Sequence, residues 1–154
     1  MKFFLPILLA GILISSSSLY PSTIKTPTDL GSWLSENFTY QLENNGEDYW
    51  KTPKETIKDK GGDCEDASIL TKHILKDLNY DSIMLVITFD NKETSHAINR
   101  LKIDNNYTMF SNFVYFPKKF KTLRLMLTYY YPNWNKIYLI HEKFQHTGFL
   151  IGIR

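Results

Sequence analysis

The sequence has little with which to cross-link its chain or to attract a highly charged partner. Cys64 is the only cysteine among 154 residues, which excludes an intramolecular disulfide and a thiolate-rich zinc or iron–sulfur site. Lysine and arginine number 18 against 16 acidic residues, and the net charge is +2. Because the charge is nearly balanced, the composition favours no electrostatic partner, and we expect no nucleic-acid binding.

The amino-terminal segment lacks an apolar run of the roughly 20 residues that a membrane-spanning helix needs. Lys2 precedes an apolar run, Phe3–Ile14, which is followed by serines at positions 15–18. A basic start, a short apolar run and small residues are typical of a secretory signal. We therefore expect residues 1–18 to be a signal peptide and the protein to be exported to the periplasm or the cell exterior. If the segment is not cleaved, it would be an anchor and the only contact with a membrane.

After a short tether over residues 19–27, residues 28–154 have the length of one domain. Apolar residues recur with helical spacing at first and form strand-like runs later. Predicted helices begin after Thr28 or Asp29, at Pro53 (to about Lys60), at Cys64 and at Lys121 (to Tyr131). Predicted strands are Ile83–Phe89, Ser95–Ile103, Tyr107–Phe113, Ile137–Ile140 and Phe149–Ile153, with loops at Glu43–Asp48, Asp90–Thr94 and Asp104–Asn106. Helices first and strands afterwards favour an α+β domain.

Local residues mark where two of these helices begin. Thr52 lies three residues before Glu55 with a proline next to it, which is a capping box with proline at the first helical position. Gly61-Gly62 is expected to end that helix. The next helix is predicted to begin at once, with Asp63 as its N-cap and Cys64 in its first turn.

A cysteine at a helix N-terminus has an electrostatic reason to be reactive. The unpaired backbone N–H groups and the positive end of the dipole favour a thiolate, and the same groups can stabilise an oxyanion beside the sulfur. Gly61-Gly62 would leave the approach to Cys64 open for a peptide or another acyl substrate. Alternatively, Cys64 is a small hydrophobic residue that fills the first turn of the helix.

Three carboxylates flank Cys64 within one helical turn, namely Asp63, Glu65 and Asp66. Each is expected to raise the pKa of the thiol and so to oppose its activation. A protonated histidine, or a calcium ion held by these oxygen ligands, would offset that effect. The alternative is that the acids only complement the helix dipole.

Four histidines are candidates for a general base. His73 lies about two and a half turns along the Cys64 helix, too far along the axis to reach the sulfur. His141 and His146 lie in a polar stretch and are expected at the surface. His96 opens a predicted strand directly after the buried one, where a helix end and a sheet can converge. The alternative for His96 is an ordinary residue at a strand edge.

Three segments carry a resemblance to a known family, namely Trp50-x-Thr52-Pro53-x-Glu55-Thr56, Gly62-Asp63-Cys64-Glu65-Asp66-Ala67 and His96-Ala97. They resemble the transglutaminase-like superfamily of cysteine enzymes, and within it the bacterial transglutaminase-like cysteine proteinases. The resemblance implies a papain-like fold, in which a helix carrying Cys64 packs on an antiparallel sheet carrying His96. It implies that Cys64 is the nucleophile and His96 the general base, as a thiolate–imidazolium pair. It also implies calcium ligands at Asp63 and Glu65, with Asp66 adjacent.

The sequence departs from the family pattern at one position. Where the family places an acid to orient the imidazole, this chain has Ser111, 15 residues after His96, followed by Asn112. A hydroxyl or an amide can accept an imidazole N–H, but neither stabilises an imidazolium as a carboxylate does. Replacing the acid of a serine triad costs about 10⁴ in kcat. The departure therefore favours a weakened or inactive enzyme.

The leading hypothesis is an exported transglutaminase-like cysteine hydrolase or acyltransferase that acts on peptide or amide bonds of a protein or peptide. Cys64 would attack a carbonyl, His96 would carry the proton, and Ser111 or Asn112 would orient the ring. One alternative is an inactive binding module whose aromatic and basic segment, residues 118–143, is the contact surface. Another is a secreted structural domain with a buried cysteine.

Overall fold

The computed structural model describes residues 18–42, 49–90, 94–140 and 151–153, the last three through their backbone alone. The helices in these residues are α1 (Pro27–Asn37), α2 (Pro53–Asp59), α3 (Cys64–Asp77) and α4 (Leu123–Tyr130). The strands are β1 (Thr39–Tyr40), β2 (Gly61–Gly62), β3 (Asp81–Phe89), β4 (Ser95–Ile103), β5 (Asn106–Ser111), β6 (Val114–Phe120), β7 (Trp134–Ile140) and β8 (Ile151–Ile153). The predicted α+β fold class is confirmed. Each helix of this part of the chain is too short or too polar to cross a membrane.

Some sequence predictions fall on other residues. The signal peptide up to residue 17, the loop Glu43–Asp48, the middle of the turn Asp90–Thr94, and the positions of His141 and His146 lie outside the described residues. Of the predicted strand Phe149–Ile153, the last three residues form β8.

Six strands form one antiparallel sheet in the order β6-β5-β4-β3-β7-β8. In the register of β3 and β4, Ile87 lies opposite His96. β4 and β5 are joined by Asp104 and Asn105, whose φ angles are 50° and 59°. Positive φ at two successive positions is what a type I′ hairpin turn requires. The predicted hairpin therefore forms without glycine, because Asp and Asn tolerate the left-handed conformation.

The two faces of the sheet are covered by different helices. On one face, α1 and α3 pack around an apolar cluster that includes Leu30, Leu34, Ala67, Leu70, Ile74, Leu75, Leu101 and Phe110. On the other face, α4 packs around Leu85, Ile87, Ile98, Met109, Met126 and Leu127. β3 is buried on both faces, as its continuous apolar run predicts. Burial of one such side chain contributes about 1.5–3 kcal/mol, so the central strands hold the residues beside them in fixed positions.

The capping residues predicted for α2 and α3 are confirmed. Thr52 accepts the backbone N–H of Glu55, whose side chain returns to the Thr52 backbone, and proline is the first residue of α2. Asp63 caps α3, so that Cys64 is the first residue of that helix. The capping side chain of Asp63 therefore fixes Cys64 at the first position of α3.

The predicted start of α1 is wrong by two or three residues. Thr26, and not Thr28 or Asp29, is the N-cap, and Asp29 closes the capping box from the N3 position. Pro27 takes the first helical position, which its fixed φ favours. Ile24, which precedes the cap, is buried in the cluster beneath α1.

The glycine pair between α2 and α3 has a different role from the predicted helix end. Lys60 takes the left-handed conformation at the C-cap of α2, with φ of 52°. Gly61-Gly62 form β2 instead, which pairs in parallel with β1 and places Thr39 opposite Gly61. A lysine can occupy this cap because the next two residues are taken up by strand pairing.

β6 has no counterpart among the predicted strands. Pro117 lies in its middle, and proline normally argues against a central strand. β6 lies at the edge of the sheet, where a missing N–H is tolerated. α4 then begins at Leu123, two residues later than predicted, because Thr122 caps it.

Candidate active site

Cys64 lies at the N-terminus of α3 because Asp63 caps that helix. The Asp63 carboxylate accepts the backbone N–H groups of Glu65 and Asp66 at 3.1 and 3.2 Å. In return, the Asp66 carboxylate accepts the Asp63 backbone N–H at 3.4 Å. This reciprocal capping box fixes the first turn of α3, and with it the cysteine.

The thiol of Cys64 is buried in apolar surroundings. Cys64 is 8% exposed, and its side chain packs in a cluster with Met84, Val86, Ala97 and Ile140. The thiol donates a hydrogen bond to Glu65 Oε2 at 2.8 Å.

These surroundings raise the pKa of Cys64 to about 12, through burial first and the hydrogen bond to Glu65 second. The charges of Glu65 and Asp63 add to the increase, whereas a hydrogen bond from the Ala97 backbone N–H lowers the pKa. The effect predicted for the flanking acids is therefore present, and the helix terminus does not overcome it. At neutral pH the resting thiol is protonated.

His96 is also uncharged at rest. Burial lowers the pKa of His96 below its ordinary value. Its Nε2 is hydrogen-bonded to Ser111 Oγ at 2.7 Å. Both shifts favour a neutral thiol and a neutral imidazole over the ion pair that the resemblance implies.

Ser111, and not Asn112, contacts the imidazole. Ser111 ends β5, whereas Asn112 and Phe113 form the turn to β6 with φ angles of 47° and 65°. The buried Asn112 Oδ1 has no hydrogen-bond partner among the described residues. The departure from the family pattern is thus a serine that contacts the ring.

Tyr131 is a part of this site that the sequence analysis does not include. Its hydroxyl is hydrogen-bonded to Ser111 Oγ at 3.2 Å, a pair in which either oxygen can donate, and its ring centroid lies 5.6 Å from that of His96. Burial raises the pKa of Tyr131, and the charge of an ionised Cys64 would raise it further. The sequence marks Tyr131 only as the end of a helix before a proline, so no local pattern connects it to His96.

One packing contact connects the cysteine helix to the histidine strand. Cys64 lies in one cluster with Ala97, the residue directly after His96, and the Ala97 backbone N–H lowers the pKa of the thiol. Tyr131 is within electrostatic range of the same sulfur and in ring contact with His96. By contrast, His73 lies along α3 in an exposed pair with Asp77 at 3.8 Å, as expected for a residue outside the site.

The three predicted calcium ligands do not converge. Asp63 caps α3, Glu65 accepts the thiol, and Asp66 accepts the Lys51 backbone N–H at 2.7 Å. The Asp66 carboxylate is also 3.9 Å from the Lys51 ammonium, which already supplies a positive charge there. No group of three or more acidic, histidine or cysteine side chains in the described residues could hold a metal ion. As arranged, these residues do not fit a calcium site.

Asp66 is a buried carboxyl beneath the helix start, and burial raises its pKa to about 6. Gly62 is packed against it so closely that a Cβ on Gly62 would collide with the Asp66 side chain. A Cβ on Gly61 would collide with the Thr39 carbonyl oxygen. The two glycines therefore allow Asp66 and the Thr39 backbone to pack closely against this segment, and the open approach to Cys64 stays a prediction.

Comparison with known families supports the resemblance. Residues 13–120 match the transglutaminase-like domain, which is more than half of the chain. The chain has no match among curated protein sequences.

Solved structures of Legionella pneumophila LapG have a similar fold. One has a TM-score of 0.54 at 19% identity and covers 73% of this chain and 62% of LapG. Calcium-bound LapG has a TM-score of 0.55 at 21% identity and covers 77% of this chain and 67% of LapG. EGTA-treated LapG has a TM-score of 0.51 at 18% identity, and the match covers 80% of this chain and 68% of LapG. The chain thus spans about 62% of LapG in the first of these comparisons. From its family match and its fold, the chain belongs to the transglutaminase-like family.

Proposed function

We propose that the protein is a thiol-dependent hydrolase or acyltransferase that acts on peptide or amide bonds, in the manner of transglutaminase-like cysteine proteinases. Cys64 is the nucleophile and His96 is the general base. The observation that carries the proposal is the packing of Cys64 in one cluster with Ala97, the residue directly after His96. This contact supports a site in which the helix carrying the thiol meets the strand carrying the imidazole.

The proposed reaction begins from a neutral pair. Since Nε2 of His96 is bonded to Ser111, Nδ1 is the nitrogen left to accept a proton. The sulfur attacks the carbonyl carbon while the thiol proton passes to Nδ1. The tetrahedral intermediate then collapses, the C–N bond breaks, and the imidazolium returns the proton to the leaving amine. Water hydrolyses the thioester, or an acceptor amine takes the acyl group.

The start of α3 is suited to stabilise the developing oxyanion. Backbone N–H groups in the first turn of a helix have no partner within the helix, and the Cys64 N–H lies next to the sulfur in the chain. A preorganised donor of this kind contributes about 10²–10³ in kcat in a serine protease. We assign the Cys64 N–H this role.

The proposed reaction is slow compared with that of an enzyme carrying a complete acid-bearing triad. The thiol has to leave its bond to Glu65, and its pKa of about 12 makes ionisation costly. Ser111 accepts a proton from the ring without adding the negative charge that would stabilise an imidazolium. The mechanism takes no step through calcium, because the acids beside Cys64 each bind a different partner.

A second candidate function is a catalytically inactive member of the family, either a binding module or a structural domain. The observation that favours it is the burial of Cys64 in an apolar cluster with a raised pKa. The two functions make opposite predictions for acyl transfer to Cys64.

An activated ester tests the proposal without knowledge of the natural substrate. We expect p-nitrophenyl acetate to acetylate Cys64, detected by peptide mass spectrometry, and the C64S variant to lose the modification. H96A is expected to slow acetylation at least tenfold, since general-base catalysis contributes about 10²–10⁴. H73A is the matched control, because His73 lies outside the site on α3, and is expected to react at the wild-type rate. Equal rates for H96A and wild type would favour the inactive candidate.

We also propose that the protein is exported and cleaved near residue 18. The composition of residues 1–18 supports this. Edman sequencing of the protein from a secretion-competent host is expected to begin near residue 19. A start at Met1 in the cytosolic fraction would contradict export.

A further inference from the structure

A short hydrogen-bonded chain leads away from the proposed general base. His96 Nε2 is bonded to Ser111 Oγ at 2.7 Å, and Tyr131 Oη is bonded to the same oxygen at 3.2 Å. Ser111 is 7% exposed, so solvent has little access to its hydroxyl. Besides His96, Tyr131 is therefore the neighbour with which the Ser111 hydroxyl forms a hydrogen bond.

Tyr131 is itself held in place from several directions. Its backbone N–H bonds to the Leu127 carbonyl at 2.7 Å, and its carbonyl accepts the Trp134 N–H at 3.0 Å. Its ring lies 6.1 Å from the ring of Phe89 and 5.6 Å from that of His96, centroid to centroid. A hydroxyl fixed in this way can set the position of a neighbouring group.

Ser111 needs such a partner because a hydroxyl, unlike a carboxylate, does not by itself select a state of the imidazole. It can donate to a bare Nε2 or accept from Nε2–H. When it accepts, its own proton must find another acceptor, since a buried unpaired O–H is costly. Tyr131 Oη is within reach for that proton. Two hydroxyls in series can thus reverse the direction of both bonds with no movement of heavy atoms.

We propose that Tyr131 is a positioning residue for His96, which acts through Ser111 by accepting a hydrogen bond from the serine hydroxyl so that Ser111 can accept Nε2–H. The Tyr131–Ser111 pair replaces the acid of the family pattern. With Nε2 protonated, Nδ1 is the basic nitrogen that faces the reaction, as the proposed function requires. The inference rests on that proposed function for its consequence in catalysis, although the state of the ring can be measured without it.

The test uses Y131F, which keeps the ring and its packing and removes only the hydroxyl. The matched control is Y129F, since Tyr129 is an exposed tyrosine of the same helix whose ring contacts Lys118. The first readout is the tautomer of His96 by ¹⁵N NMR of histidine-labelled protein, with the His96 signals identified by their loss in H96A. We expect the Nε2–H tautomer in wild type and Y129F, and a mixture of tautomers in Y131F.

The second readout is the rate at which iodoacetamide alkylates Cys64. One lost hydrogen bond is expected to slow Y131F about 2- to 10-fold. In an S111A background, Y131F is expected to have no further effect, because the path through Ser111 is already broken. If Y131F does not fold, as judged by its melting curve, Y131M, which also lacks the hydroxyl, provides the same test.

Three results would overturn the inference. They are a wild-type tautomer in folded Y131F, a wild-type alkylation rate in that variant although H96A slows alkylation, and an equal slowing by Y131F with and without Ser111. Failure of the proposed function is distinguishable from these. If H96A leaves the alkylation of Cys64 unchanged while Y131F still shifts the His96 tautomer, the positioning role stands and the catalytic role of His96 falls.

Discussion

Cys64 packs in one cluster with Ala97, which directly follows His96 in β4. The contact holds the first turn of α3 against the strand on which the proposed base lies. The Ala97 backbone N–H also lowers the pKa of the thiol, in opposition to the larger effects of burial and of Glu65. The reactivity of Cys64 therefore depends on a small number of contacts, each of which can be altered separately.

Restoring an acid at position 111 is expected to strengthen the site. S111D would place a carboxylate 15 residues after His96, beside Nε2 and Tyr131 Oη. Because hydrogen bonds to charged groups are about twice as strong as neutral ones, we expect about a tenfold faster alkylation of Cys64 by iodoacetamide. S111N is the control for side-chain size without charge. An S111D rate at or below that of S111N would contradict the prediction.

Removing the negative charge of the group that accepts the thiol hydrogen bond is expected to make Cys64 more reactive. Glu65 raises the pKa of Cys64 both through its hydrogen bond and through its charge, so E65Q is expected to lower that pKa. The pH at which alkylation reaches half its maximal rate would then fall. E36Q is the control, because Glu36 is an exposed acid on α1. The same midpoint in E65Q and wild type would contradict the contribution of Glu65 to the pKa.

The stability of the protein is expected to depend on pH through Asp66. Burial raises the pKa of Asp66 from 3.8 to about 6, so between these values the folded state binds a proton that the unfolded state releases. Proton binding to Asp66 therefore stabilises the folded state fully below about pH 4, and this stabilisation is lost as the pH rises to 6. We expect the urea midpoint of wild type relative to D66N to fall over this interval and to level off above it.

The comparison with D66N isolates Asp66 from other acids. Hydrogen bonds lower the pKa values of Asp29 and Glu55, so these residues act in the opposite sense, but equally in both proteins. A constant difference between wild type and D66N from pH 4 to 7 would contradict the raised pKa.

Calcium is expected to leave the thermal stability unchanged. The Asp63, Glu65 and Asp66 carboxylates are engaged with backbone N–H groups and with the thiol, and a ligand stabilises a protein only if it binds the folded state. Differential scanning fluorimetry in millimolar calcium and in EGTA is expected to give the same Tm. A Tm that rises in calcium for the wild type but not for D63N would contradict the prediction and identify these acids as calcium ligands.

The local parts of the fold follow from local sequence. The capping boxes at Thr52 and Asp63 place two helix starts to the residue, because the side chain and the N–H groups it satisfies are neighbours in the chain. The apolar run in β3 predicts burial on both faces for the same reason. Position-specific hydrogen bonding and periodicity were sufficient there.

The rest depends on contacts between residues that are distant in sequence. In the sequence, Pro117 argues against a strand at this point. β6 can form because it lies at the edge of the sheet. Tyr131 reaches Ser111 across 20 residues, and no spacing rule connects a helix end to a strand end. The role of Gly62 likewise depends on how closely the Asp66 side chain approaches it in the folded chain.

The most direct test of the account is the pH dependence of Cys64 alkylation by iodoacetamide in wild type, H96A and H73A. We predict that H73A follows wild type and that H96A is slower by about tenfold or more at neutral pH, since the base that accepts the thiol proton is missing. Equal profiles for all three proteins, each following only the titration of a buried thiol, would contradict the pairing of Cys64 with His96.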